Sequence, residues 1–142
     1  MMKKGGKIIM AMTMAFSMLF VTNPASALAA QNGSASHSET RGGVTVNMSC
    51  SVSEKSGYAS TTARVGYAWT SVSAMYAAVS LENGETKAAS YYDDYGSNSG
   101  YYGSSVSFSA PSGYKSYWIE SSHSASVTSE FAPSTTLEAY CE

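Results

Sequence analysis

The chain has 142 residues, of which 44% are hydrophobic and only 13% charged, with eight Lys and Arg against ten Asp and Glu. Three of the basic residues, Lys3, Lys4 and Lys7, open the sequence, and without them the net charge falls to −5. That balance excludes long-range attraction to nucleic acid or to an anionic membrane.

The N-terminus has the order of a secretory signal peptide. A basic start is followed by the apolar run Ile8 to Val21, then by Asn23-Pro24, then by the small residues Ala25-Ser26-Ala27-Leu28-Ala29-Ala30. The run is too short for a comfortable membrane span. A signal peptide over residues 1–30 is therefore expected to be removed, the best cut following Ala27-Leu28-Ala29, with Ala30 or Ala27 as alternatives. Neither the cut nor the end Ala139-Tyr140-Cys141-Glu142 carries a lipid or wall anchor signal, so a released, extracellular product is expected. About 110 residues remain, enough for one domain.

Residues 31–43 (QNGSASHSETRGG) hold almost no apolar side chain and read as a disordered lead-in. The domain is expected over 44–142. It opens on Val44 to Ser53, where Val44, Val46, Met48, Cys50 and Val52 alternate with Thr45, Asn47, Ser49, Ser51 and Ser53. Such alternation has the period of a strand with one face buried and one wet. Glu54-Lys55-Ser56-Gly57 is a turn. Ala59, Thr61, Ala63, Val65, Tyr67 and Trp69 then share one parity, predicting a second strand with Trp69 as its bulkiest core residue.

Asn83-Gly84 supplies both positive-φ positions of a type I′ turn, predicting a hairpin over Met75 to Tyr92. In the register it implies, Val79 faces Ala88 and Ala77 faces Ser90. Asp93 to Gly103 (DDYGSNSGYYG) has the composition of a loop. Ser104 to Ala110 alternates again, with Val106, Phe108 and Ala110 inward. Tyr117, Ile119, Ser121, His123, Ala125 and Val127 share a parity, and Trp118 opposes it. After Pro133, Thr135 to Cys141 closes the chain with Leu137, Ala139 and Cys141 on its apolar face. About seven strands, turns every 8–14 residues and no helical period predict an all-β fold, a single antiparallel β-sandwich.

Two cysteines in an exported chain read most simply as one disulfide, Cys50 to Cys141, both with inward parity; two buried thiols are the alternative. Cys50, Trp69 and Cys141 resemble the disulfide and core tryptophan of immunoglobulin-like domains. The spacing of 91 residues is longer than that family's, and Ala139 stands where its corner tyrosine would be. The whole chain also resembles small secreted β-sandwich proteins of Gram-positive bacteria. That resemblance implies the architecture and carries no functional residues.

No catalytic constellation emerges. His37 lies in the lead-in. His123, near Glu120 and Glu130, lacks a placed nucleophile and reads as a strand histidine. Asp93-Asp94 with Gly96 and Asn98 does not match a calcium loop. The cysteines are too few for zinc, no phosphate-cradling glycine loop is present, and no cofactor is expected. What rises above background is the tyrosine-rich stretch Tyr91 to Tyr102. Tyrosine with Ser, Gly, Asn and Asp is the mixture of recognition surfaces, since tyrosine brings area and a hydroxyl at low entropic cost. Tyr92, Asp93, Asp94, Tyr95, Asn98, Tyr101 and Tyr102 are the candidate binding residues. The expectation is a secreted, non-catalytic module that binds a glycan or cell-surface protein, with a small antibacterial or toxin-like protein as the alternative.

Overall fold

A computed structural model describes residues 31–81 and 88–141. The segment read as a signal peptide and the Asn83-Gly84 turn lie outside the described residues. Among these described residues nine strands follow one another: β1 (Gln31–Asn32), β2 (Ser34–Arg41), β3 (Val44–Ser53), β4 (Ser56–Thr62), β5 (Trp69–Leu81), β6 (Ala88–Tyr101), β7 (Gly103–Ser109), β8 (Lys115–Ser126) and β9 (Ser134–Tyr140). They form two sheets, ordered β1-β9-β8-β5-β6 and β2-β3-β4-β7. All pairings are antiparallel except that of the two-residue β1 with β9. The fold is all-β, as the alternation predicts, and both sheets feed one core.

The core is built from the expected parities. Val46, Met48, Cys50 and Val52 of β3 are buried, as are Phe108 of β7, Ile119 and Ala125 of β8, and Leu137 and Ala139 of β9. At its centre two aromatic rings cross between the sheets. Tyr76 of β5 lies over Gly57 of β4, where an added Cβ would stand 2.7 Å from the Tyr76 ring. Phe108 of β7 lies over Gly96 of β6, at 3.3 Å from the equivalent position. The two rings stack on each other, with centroids 5.2 Å apart and planes 4° from parallel. The Tyr76 hydroxyl completes the arrangement by bonding Ser116 at 2.6 Å.

Residues 31–43 are not a disordered lead-in but the outermost strands on one side of the molecule. Gly42 and Gly43, with φ of 59° and 78°, make the two-residue turn that folds β2 back on β3. One buried side chain, Ala35, suffices because pairing with β3 satisfies the backbone.

The predicted strand from Ala59 to Trp69 is broken. Ala59, Thr61 and Ala63 are inward, but β4 ends at Thr62 and Arg64 turns the chain with φ 51°. Parity resets across residues 63–68, so Ala68 and Thr70 take the buried places and Trp69 is 43% exposed. The β5–β6 register also differs from the predicted one, with Val79 opposite Tyr91 and a register shift between Ser80 and Leu81. This pairing sets Gly96 beside Ala74 and leaves the space that Phe108 fills.

The segment from Asp93 to Gly103 is likewise strand and not loop. Asp93 to Tyr101 makes up most of β6, and Tyr102, with φ 73°, turns the chain into β7 at Gly103.

Cys50 and Cys141 are not bonded to each other. Cys50 hydrogen-bonds Ser121 across the core, whereas the amide of Cys141 is bonded to the carbonyl of Tyr117. Those anchor points are four residues apart on β8, or roughly 13 Å at strand rise, about twice the Cα separation a disulfide spans. Neither feature implied by the immunoglobulin-like resemblance, the disulfide or a core Trp69, is formed. Burial pushes the Cys50 thiol up to about 11, against the Ser121 hydrogen bond.

Two outcomes are expected. Thiol labelling of the unreduced, denatured protein should find two sulfhydryls, and in the native protein Cys141 should react ahead of the buried Cys50; an intact disulfide by mass spectrometry would refute the assignment. Gly57→Val should lower stability by about 2–3 kcal/mol in chemical denaturation, because the stacked Tyr76 ring cannot retreat; an unchanged midpoint would show that it can.

Candidate functional site

The seven candidate residues do not form one surface, because a strand divides its side chains by parity. Tyr92, Asp94 and Asn98 share the parity of Gly96, toward the four-stranded sheet. Tyr92 packs partly into the core and its hydroxyl donates to Asp94, while the Asn98 amide donates to the Ser105 carbonyl of β7 at 3.1 Å. Tyr102 sits at the turn, where its backbone bonds Ala63, Arg64 and Ala68. Asp93, Tyr95 and Tyr101 point the other way, onto the outer face of the five-stranded sheet.

That outer face is ordered in rows across β6, β5, β8 and β9. The first row holds Tyr101, Trp69 and Ser126. The next is Ser99, Ser71, Ser124 and Ser134, followed by Ser97, Ser73, Ser122 and Thr136. Tyr95, Met75, Glu120 and Glu138 come next, and Asp93, Ala77, Trp118 and Tyr140 make the last. A field of hydroxyls two rows deep therefore lies between the Tyr101–Trp69 pair on one side and the Tyr95–Met75 pair on the other. Its middle is a shallow groove of about 500 Å³ lined chiefly by Ser71, Ser73, Ser97, Ser99, Ser122 and Ser124. Tyr95 and Tyr101 are 64% and 62% exposed and stand six residues apart on β6, roughly 20 Å at strand rise. The Trp69 and Tyr101 rings meet edge to face, 4.8 Å between centroids, which fixes both at that end.

The opposite outer face has the same composition and a different state. There Ser38 bonds Asn47, Thr40 bonds Thr45, Ser49 bonds Ser60 and Ser53 bonds Ser56, at 2.7–3.2 Å. None of the six groove serines uses its hydroxyl in a side-chain hydrogen bond among the described residues. Their donors and acceptors are turned to solvent, which is the state a hydrogen-bonding ligand requires.

Sequence reasoning missed Trp69 and Met75, and with them the serine rows. The signal was present in the parity of Tyr95, Ser97, Ser99 and Tyr101, which a loop assignment conceals. Tyr117 is 42% exposed at a bulge where Ala77 pairs with Trp118 and Ala78 with Ser116. Trp118 itself is buried against Ala77 and Tyr140.

His37 is on β2, exposed, with Nε2 3.0 Å from Glu39. His123 is an interior group of β8, 2% exposed. Thr61 donates to the Ser71 carbonyl and so accepts from His123 Nδ1–H at 2.9 Å. Nε2 is thereby left to accept from the Ser121 hydroxyl at 2.7 Å. With Cys50 donating to Ser121, the chain Cys50–Ser121–His123–Thr61 joins β3, β8 and β4 inside the core. The Ser121–His123 pair is sealed beneath the sheet, not presented at its surface. Burial pushes the His123 pKa down to about 4, although a hydrogen bond with the Ser60 backbone acts in the other direction.

No protein-family model matches the chain, and no curated protein does.

A neutral buried histidine gives a pH signature of known sign. Its folded pKa is about 4 against 6.5 for the free group, so its stabilisation is complete above 6.5 and is lost as pH falls toward 4. The stability advantage of the native protein over His123→Gln should shrink by about 3 kcal/mol between neutral pH and ~pH 4. The difference between the two proteins cancels the carboxylates, whose contributions run oppositely where burial raises their pKa. An advantage independent of pH in urea melts would show that His123 charges freely inside the fold.

Proposed function

We propose that this protein is a secreted, non-catalytic module that binds a glycan on the outer face of its five-stranded sheet. The observation that carries the reading is the field of unpartnered serine hydroxyls held between the Trp69–Tyr101 row and the Met75–Tyr95 row. Sugar rings offer apolar faces that stack on aromatic side chains, and hydroxyls that exchange hydrogen bonds with serines. A shallow groove open along its length suits a chain of rings better than a compact molecule. The signal-peptide order of residues 1–30 supports the extracellular setting in which such a ligand is met.

The groups are also prepaid in conformational terms. Serines on a paired strand lose little side-chain freedom on binding, and the Trp69 and Tyr101 rings already hold each other. The nearest charged side chains on this face are acidic, Glu120 and Glu138 in the adjoining row and Asp93 in the next, so a neutral or cationic polysaccharide fits and an anionic one does not.

Binding to insoluble polysaccharides and to a glycan array tests this. The double change Trp69→Ala and Tyr101→Ala, and separately Tyr95→Ala, should each weaken any binding found by about tenfold or more, since stacking contacts are worth ~1–3 kcal/mol. Tyr58→Ala, which removes a ring 44% exposed on the other sheet, should leave binding unchanged. Equal loss in all three, or none in any, would remove this face from consideration.

A further inference from the structure

Beyond the serine field, Glu120 of β8 and Glu138 of β9 are direct cross-strand partners on the same outer face, which sets their Cβ atoms about 5 Å apart. Glu138 is fully buried. Its Oε2 accepts the hydroxyl of Tyr140 at 2.9 Å and the indole N–H of Trp118 at 3.4 Å. Its Oε1 is buried without a hydrogen-bond partner, and so is Oε2 of Glu120. An unsatisfied buried carboxylate oxygen is costly, and two on adjacent side chains of like charge add repulsion to desolvation. The pair shows that strain: burial raises the pKa of both, and the charge of Glu138 raises that of Glu120 further.

We propose that Glu120 and Glu138 form a binding site for a hard divalent cation of the calcium class, gripped between the two orphaned oxygens. The donors are all carboxylate oxygen, the set preferred by calcium and not by the softer metals that seek imidazole or thiolate. Trp118 and Tyr140 hold one oxygen of Glu138 and leave the other without a partner. Glu120 is partly exposed and provides the way in from solvent. No group of three or more His, Cys, Asp or Glu able to hold a metal occurs among the described residues. Two carboxylates therefore act with water as the remaining ligands, which puts the affinity in the weak range of about 10⁻⁴–10⁻³ M. A shared proton would also bridge the two oxygens, yet it cancels one charge where a divalent ion cancels both.

Cation binding at this pair is independent of glycan binding on the serine field. Melting of the purified protein is followed with CaCl2 raised to ~10 mM against NaCl of matched ionic strength. The expected result is a saturable rise in Tm of roughly 5 °C with a millimolar midpoint. In Glu120→Gln and Glu138→Gln the rise should vanish while circular dichroism keeps its native form. Luminescence of Tb³⁺, excited through Trp118 and Tyr140 and displaced by Ca²⁺, reads the site directly in the unaltered protein should a variant fail to fold. No calcium-dependent shift and no displaceable terbium signal would overturn the proposal. So would a shift that survives in both variants, and the pair would then be satisfied by a proton alone.

Discussion

Two aromatic rings and two glycines hold the sheets at their working distance. Tyr76 reaches from the five-stranded sheet onto Gly57, Phe108 reaches back from the four-stranded sheet onto Gly96, and the rings stack where they pass. Each glycine removes one side chain so that the opposing ring can lie against backbone, and neither half works without the other. Much of the remaining core is small: Ala35, Ala59, Ala63, Ala68, Ala74, Ala78, Ala125 and Ala139. Alanines bury little area individually, so the close approach enforced by the interlock is what makes them effective contacts. The register of β5 on β6 follows as well, because Gly96 has to arrive beneath Phe108.

The same constraint explains why part of the fold was legible in the sequence and part was not. Strands with an apolar alternation, such as Val44 to Ser53 and Thr135 to Cys141, declare themselves because most inward positions carry a hydrophobic group. β6 has no such row. Its inward positions include Gly96, which lies against the Phe108 ring, and Gly100, and glycine in a sequence reads first as pliancy. β2 was hidden for a related reason, since one alanine and a Gly42-Gly43 turn are all that distinguish it from a polar tail. Trp69 was misplaced because a single left-handed residue, Arg64, resets the alternation, and periodicity cannot see a change of phase between two strands. The disulfide failed on distance along β8, which parity does not encode.

Of the candidate site, the tyrosines were found but their grouping was not. Composition identified a recognition-like stretch, and only pairing with β5 revealed which members act together. Composition is equally silent about the two serine-rich outer faces. One closes its hydroxyls on each other across β2, β3 and β4; the other leaves them open. The polar interior follows a stricter logic. Thr61, Ser121 and His123 bond one another and Cys50 across three strands, so these hydroxyls act as core residues that satisfy themselves.

β6 ends at Tyr101 and is followed by Tyr102, a residue held in the left-handed region and bound through its backbone to the 63–68 crossing. The strand is thus pinned at one end by that turn and in its middle by Gly96. Between those pins, substitution and length change have unlike consequences. Exchanging one outward serine for another small polar residue alters the face locally and leaves its neighbours in register. Inserting or deleting a single residue between Tyr95 and Tyr101 would instead turn one aromatic row inward and push a glycine out. Over descent, this surface is free to vary in chemistry and nearly forbidden to vary in length.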